Sequence, residues 1–446
     1  MALFWRTLRT IFYKLAVSII ALLSGIIVTR YLTVGERGIY TETTTAFLLG
    51  SSYLAGYSNF FNYGINRLKY DKQTVYSVLF RQYLLICGGL AVLLVLALLG
   101  IHFNSIFLYA AIILFTLPFA LFLAFSTKLV NALNQIDLLN RLNMMQNSLM
   151  FTFALVLFIT VKVWWHGTHP LTLSLTLLGW TLSFVIAAIL AMRVSLKVGE
   201  VNLRTVKNTE ISRKLNDYGH KISLQNFLTL LNYRGDLFFV GLLAGSTALE
   251  RNTSAGLYGI AVSASEVLWQ VSQSISLMVY SRVAAEEREH STALTEKTFR
   301  YIFWSLIVLA LVMTALSFMV PIVYGAKYER SIPPFNILLI GTAAYGTTGL
   351  LTQYFTDQLG KVKYPVYMQI ASIATNALIC VLLIPHIGLI GGAIASSSAY
   401  VVALVMSLAY FRYHSKRKLR HLFIFTRDDL HKLSGLVARA RRVHQS

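Results

Sequence analysis

An arginine and an aspartate, two residues apart in the middle of an apolar stretch, are the residues of this chain best placed to do chemistry. The stretch is Gln225 to Gly245, QNFLTLLNYRGDLFFVGLLAG, with Arg234 and Asp236 near its centre. A charge at bilayer depth costs about 2.5–3.5 kcal/mol on insertion scales, so each needs a partner, a water-filled cavity or a polar ligand. Two residues rotate a helix by about 200°, which sets Arg234 nearly opposite Asp236 and disfavours a local ion pair. Asp236 instead shares a face with Gln225, Thr229 and Asn232. Arg234 suits either a bond to a neighbouring helix or a phosphate ligand, to which its guanidinium presents a bidentate fork.

Other polar residues recur at helical steps within apolar runs. Glu42, Thr45, Ser52, Gly56, Asn59 and Tyr63 fall on one face, and Ser263, Glu266, Gln270 and Ser274 on another. Both faces should meet protein or water. Glu266, Glu42 and Asp236 are candidates for ion coupling, because a carboxyl drawn out of water can bind and release a proton; pairing with a neighbouring helix is the plainer reading. Lys14 near the chain start has two accounts: it snorkels to headgroups, or it joins Arg234 in supplying positive charge to a cavity.

These residues must be positioned by membrane helices. Apolar residues make up 56% of the 446 positions and charged residues only 13%, which marks a polytopic membrane protein. Twelve spans are expected, at 11–29, 39–62, 82–101, 106–127, 147–165, 171–192, 222–244, 255–280, 301–324, 334–356, 365–385 and 388–411. With both termini on one side, the loops and ends on that side hold 32 of the 39 Lys and Arg residues. The opposite side keeps six: Arg30, Arg37, Lys162, Arg251, Lys327 and Arg330. That asymmetry places both termini in the cytoplasm and accounts for the net charge of +21 without nucleic acid.

The segment 194–220 separates a first lobe, 1–193, from a second, 221–411, and 412–446 forms a basic tail. Six is an even number, so the second lobe re-enters with the orientation of the first, as parallel repeats do. Gly38-Ile39-Tyr40 and Gly256-Leu257-Tyr258 recur at matching places in the two lobes, as do Met145-Gln146 and Met368-Gln369. The tail spaces Leu430, Leu433, Leu436 and Val437 for an amphipathic helix on anionic lipids, or is simply a solvated positive-inside end. Cys87 and Cys380 both lie in apolar runs and suggest neither a disulfide nor a metal site. No nucleotide-binding loop, zinc motif or large external loop is visible, so nothing calls for a cofactor and an ATP-driven pump is disfavoured.

Several stretches together resemble a known family. TRYLTVGERGIY (Thr29 to Tyr40), LNYRGDLFFVGLL, SAGLYGIAVSASEVLWQVSQSIS (Ser254 to Ser276) and LLIPHIGLIGGAIASSSAY (Leu382 to Tyr400) resemble the bacterial polysaccharide-transport family, the Wzx-type flippases. That family shares a superfamily with multidrug and toxin extrusion antiporters and the lipid II flippase. The resemblance covers essentially the whole chain and implies an all-α fold of two six-helix lobes around a central cavity. It implies a flippase of the bacterial cytoplasmic membrane that turns undecaprenyl-pyrophosphate-linked oligosaccharide to the outer leaflet, driven by a proton or sodium ion, with a polysaccharide polymerase as a further partner.

Arg234, Lys14 and Arg30 are then the substrate-binding candidates, and Gln270, Asn232 and Asn59 the polar cavity lining. A cation-coupled drug antiporter on the same fold is the alternative. Lys14 in the first span argues against it, and Glu266 keeps it open. A membrane glycan polymerase is a third reading, weakened by the short external loops.

Overall fold

In the computed structural model the described residues are 2–101, 106–165, 169–285, 288–361 and 363–424, with side-chain surroundings given for all but 2–12, 14, 15, 273–291, 357 and 358. Among them no strand occurs, and twelve helices of 22 residues or more carry the chain. They are α1 (Ala2–Tyr31), α2 (Val34–Ala55), α3 (Lys72–Gly100), α4 (Ile106–Ala132), α5 (Ile136–Ile159) and α6 (Thr172–Gly199). The series continues with α7 (Thr209–Leu243), α8 (Ala248–Ala285), α9 (Arg288–Ala315), α10 (Ile332–Gln353), α11 (Lys363–Ile387) and α12 (Leu389–Ser415).

Eight of these, α3 to α6 and α9 to α12, are long and apolar enough to cross a membrane once their end turns are counted. Their outer surfaces agree with that: on α3, Leu85, Val92 and Leu99 are each at least 61% exposed. A row of large aliphatic side chains is stable there only with lipid as the solvent. The chain is a multi-pass membrane protein. Most of the polar residues singled out above lie on α1, α2, α7 and α8.

Local chemistry fixes several helix ends. Thr33 and Glu36 form a capping box on α2: Glu36 N–H donates to Thr33 Oγ1 at 3.2 Å, and the Thr33 amide donates to Glu36 Oε2 at 2.8 Å. Asp71 caps α3 by accepting from the Thr74 amide at 2.9 Å. Helices α6 and α7 run well into the segment 194–220, leaving only Glu200 to Asn208 outside them. This connection is tied to the start of α3 by a Lys72–Glu200 ion pair at 2.9 Å and by two hydrogen bonds between Gln73 and the Asn202 backbone.

The chain divides into two compact units, and the division falls inside α8. The first comprises Met1–Gly259 together with Val320–Arg330. Its core gathers the rings of Phe61, Tyr76 and Tyr83 edge-on around Phe125, with centroids 4.9, 5.1 and 5.2 Å away. Phe47 of α2 meets Trp180 of α6 edge-on at 4.6 Å.

The second unit comprises Ile260–Met319 and Ser331–Ser446. Small and polar residues bring its helices close: Asn376 Nδ2 donates to Ser396 Oγ at 3.0 Å, Ser372 Oγ to Ala399 O at 2.9 Å, and Ser397 Oγ to Ile337 O at 2.8 Å. An Arg417–Glu296 ion pair at 3.1 Å and a bond from Trp304 Nε1 to Phe423 O at 2.8 Å hold the segment after α12 against α9. The amphipathic tail expected over Leu430 to Val437 lies outside the described residues.

Candidate functional site

The polar face of α2 is laid along α7. Glu42 sits against Gly241, where a β-carbon would coincide with its carboxylate, and Gly56 sits against Ser223 with no room for one. Further along, Tyr53 Oη is 2.7 Å from His220 Nδ1, Tyr57 packs on Gly219, and Tyr63 stacks on Tyr218 at 4.4 Å. Residue numbers rise on one helix as they fall on the other, so the helices are antiparallel and in contact over most of the length of α2. Small residues on α7 make this possible, since each bulky polar group on α2 needs a gap opposite.

Within that interface Glu42 Oε1 is enclosed and has no hydrogen-bond partner among the described residues. Thr45, one turn further on, is fully buried, and its hydroxyl likewise has none. A buried carboxylate oxygen left without a donor is costly, which singles Glu42 out within this interface. Asp236 is differently served: Tyr258 of α8 donates its hydroxyl to Asp236 Oδ2 at 2.5 Å, and the Leu237 amide donates to Oδ1 at 3.0 Å. Both side chains are at most 2% exposed.

The first turns of α8 cross the start of α2 at glycines. A β-carbon on Gly38 would overlap the Asn252 carbonyl, one on Gly256 would overlap the Val34 carbonyl, and one on Gly259 would press on Thr41. Beside this crossing, the end of α1 is joined to Val320–Arg330. Arg30 donates to the carbonyls of Ile322 and Val323, closing the end of the short helix Met319–Tyr324. Lys327 donates to Leu32 O, and Tyr328 is fully buried there with its hydroxyl 3.4 Å from Thr29 O.

The candidates are thus distributed unevenly. Arg234, Asn232, Asp236, Glu42, Asn59 and Arg30 all belong to the first unit, whereas Glu266 and Gln270 belong to the second. Arg234 is half-buried and engaged by neighbouring groups. Asn232 is 2% exposed, and Asn59 Nδ2 donates locally to Gly56 O at 3.0 Å. Glu266 is half-buried and engaged, and Gln270 is exposed. Lys14 lies on α1, and its side chain is outside the described surroundings. Among the described residues no group of three His, Cys, Asp or Glu is placed to hold a metal ion.

Sequence reasoning passed over Arg37. It counted this residue only as a loop cation, yet the side chain is 7% exposed. A signal was available: Arg37 stands among the few basic residues on the depleted side, flanked by Tyr31 and Tyr40.

No protein-family model and no curated protein sequence matches the chain. Solved structures do. The chain is similar to the lipid II flippase MurJ in its inward closed conformation, with a TM-score of 0.71 and 13% identity over 92% of this chain and 89% of that one. It is similar to an inward-facing multidrug resistance MATE family transporter of the MOP superfamily, with a TM-score of 0.70 and 13% identity over 90% and 94%. A Vibrio cholerae MATE transporter, VcmN, aligns at 0.62 and 16% over 94% and 97%. The fold is therefore that of the MOP-superfamily transporters.

Proposed function

We propose that the chain is a flippase that carries undecaprenyl-pyrophosphate-linked oligosaccharide from the cytoplasmic to the outer leaflet of a bacterial cytoplasmic membrane by alternating access. The observation that carries this reading is the sign of the charge on the polar helices of the first unit. Arg30 and Arg234 lie on α1 and α7, with Lys14 further back on α1; of the acids on α1, α2 and α7, Asp236 already accepts bonds from Tyr258 and the Leu237 amide. A surplus of fixed cations suits a diphosphate-bearing cargo and repels a cationic drug. The fold it shares with a lipid II flippase and the sequence patches that resemble Wzx-type flippases support the same reading.

In this reading all twelve long helices cross the membrane as two six-helix lobes, 1–193 and 221–411, with both termini cytoplasmic. Arg234, Lys14 and Arg30 supply charge for the diphosphate, Asn232, Asn59 and Gln270 supply hydrogen bonds to sugar hydroxyls, and Glu42, Glu266 or Asp236 carries the coupling proton or sodium ion. The protein does no covalent chemistry. A polysaccharide polymerase would receive its product, and anionic lipids would hold its basic tail.

A second reading, a cation-coupled drug antiporter, is favoured by one observation: Glu42 keeps a carboxylate oxygen enclosed with no hydrogen-bond partner among the described residues. One experiment separates them. Cells lacking their own flippase, supplied with a labelled lipid-linked oligosaccharide and expressing this chain, should expose the sugar to an external lectin. No exposure with any of several glycans, together with efflux of a cationic dye, would put the antiporter in its place.

A further inference from the structure

Arg37 lies in the second turn of α2 within an aromatic wall. Its guanidinium carbon is 5.1 Å from the Tyr40 ring centroid. The phenols of Tyr31, Tyr324 and Tyr328 are within electrostatic reach of it, and these three side chains are 2%, 7% and 0% exposed. Arg37 Nε is enclosed and without a hydrogen-bond partner. Among the described residues no carboxylate stands within ion-pair distance of this guanidinium.

The nearest acid in sequence, Glu36, forms no ion pair with Arg37 and acts electrostatically on Lys327 and Tyr328 instead. Glu36 Oε2 accepts from both the amide and the hydroxyl of Thr33 at 2.8 Å. The neighbouring cations outnumber it: Arg30 and Lys327 donate to backbone carbonyls, which orient them without cancelling their charge, and both Glu36 and Lys162 lie within electrostatic reach of Lys327. Four of the six basic residues on the depleted side of the charge count are thereby gathered at one end of the first unit. Burying a guanidinium without a paired counter-charge is strongly unfavourable, and Glu36 offsets only one of these four cations, which leaves the cluster suited to a counter-charge from outside the chain.

We propose that Arg37 is the centre of an anion site that takes a small monovalent anion of the halide class, with tyrosine hydroxyls as further donors. The enclosure argues for that size. Arg37 and the tyrosines around it are too deeply buried to admit a sugar-bearing diphosphate without displacing the aromatic wall. Bound there, the anion offsets the charge of Arg37 at the start of α2. The site is separate from the proposed cargo, and it stands or falls on its own.

The test uses the full-length protein in a neutral detergent, in sodium gluconate at constant ionic strength, with chloride exchanged in. Thermal unfolding should shift upward with chloride and saturate as for a single site. Arg37→Gln should weaken that response at least tenfold, whereas the exposed Arg330→Gln should leave it unchanged. An equal response in Arg37→Gln, or none in the parent, overturns the proposal. A response to pyrophosphate but not to chloride, lost in Arg37→Gln, also overturns the halide assignment. If Arg37→Gln does not fold, crystals of the parent protein grown in bromide decide the matter: an anomalous peak within hydrogen-bond distance of the Arg37 guanidinium is expected, and its absence overturns the site.

Discussion

Gly38 and Gly256 meet backbone to backbone: a β-carbon added to either would lie 3.0 Å from the other's amide nitrogen. The relation is reciprocal, and the two glycines open the same Gly-x-Tyr motif in the two halves of the sequence.

Alanine at either glycine must push the helices apart. Gly38→Ala and Gly256→Ala should each lower thermal stability in detergent by about 1–3 kcal/mol, the usual range for overpacking. Gly88→Ala, at a position with open space around it, serves as the control and should be neutral or slightly stabilising. Parent-like melting of both Gly38→Ala and Gly256→Ala would contradict the close crossing.

Arg234→Ala should abolish the exposure of lipid-linked sugar to an external lectin while leaving the protein inserted and abundant. Normal transport with a neutral residue there would remove Arg234 from the diphosphate-binding role.

Glu42 makes a sharper test of coupling. Glu42→Gln keeps the shape and supplies a donor, so the protein should fold at least as stably as the parent and lose dependence on the proton or sodium gradient. Gly241→Ala, by contrast, places a methyl group where the carboxylate lies and should displace it, losing both coupling and stability. Transport by Glu42→Gln that still follows the gradient would assign coupling elsewhere.

Tyr258→Phe removes a hydroxyl from a buried carboxylate. A loss of about 1–3 kcal/mol in unfolding free energy is expected, and Asp236→Asn with Tyr258→Phe together should cost less than the sum of the two single changes. Strict additivity would show that the bond contributes nothing.

Asp71 offers a pH test outside the membrane. The Thr74 amide it caps holds its carboxyl below the ordinary value of 3.8. A depressed value in the folded state means that the cap contributes fully above that pH and is lost as pH falls through it. Asp71→Ala should therefore cost about 1 kcal/mol at neutral pH, typical of a lost N-cap, and less at pH 2, as read by thermal unfolding. An equal cost at both values would rule out the charged cap.

Much of the fold was legible because lipid imposes long apolar helices, and runs such as Lys72–Gly100 have no other reading. The polar stripe on α2 was legible by its period, but what it faces was not. Whether Glu42 and Gly56 meet water or another helix depends on Gly241 and Ser223, more than 160 residues away. Arg30 shows the same limit. Its charge stood out in the sequence, while its role in closing the end of Met319–Tyr324 depends on a segment nearly 300 residues later. Arg37 was missed because a charge count registers the sign of a residue and is blind to its burial.

The discontinuity of the first unit sets an order of events during synthesis. Its first part ends at Gly259 and its last piece, Val320–Arg330, follows only after α9 has been made. At roughly 5–20 residues per second the intervening chain takes several seconds to emerge, and for that time Arg30 has no carbonyls to cap and Arg37 lacks part of its aromatic wall. The nascent protein thus carries this positive cluster without its later partners, and Tyr324 to Tyr328 act as the late-arriving keystone that lets the earlier helices settle.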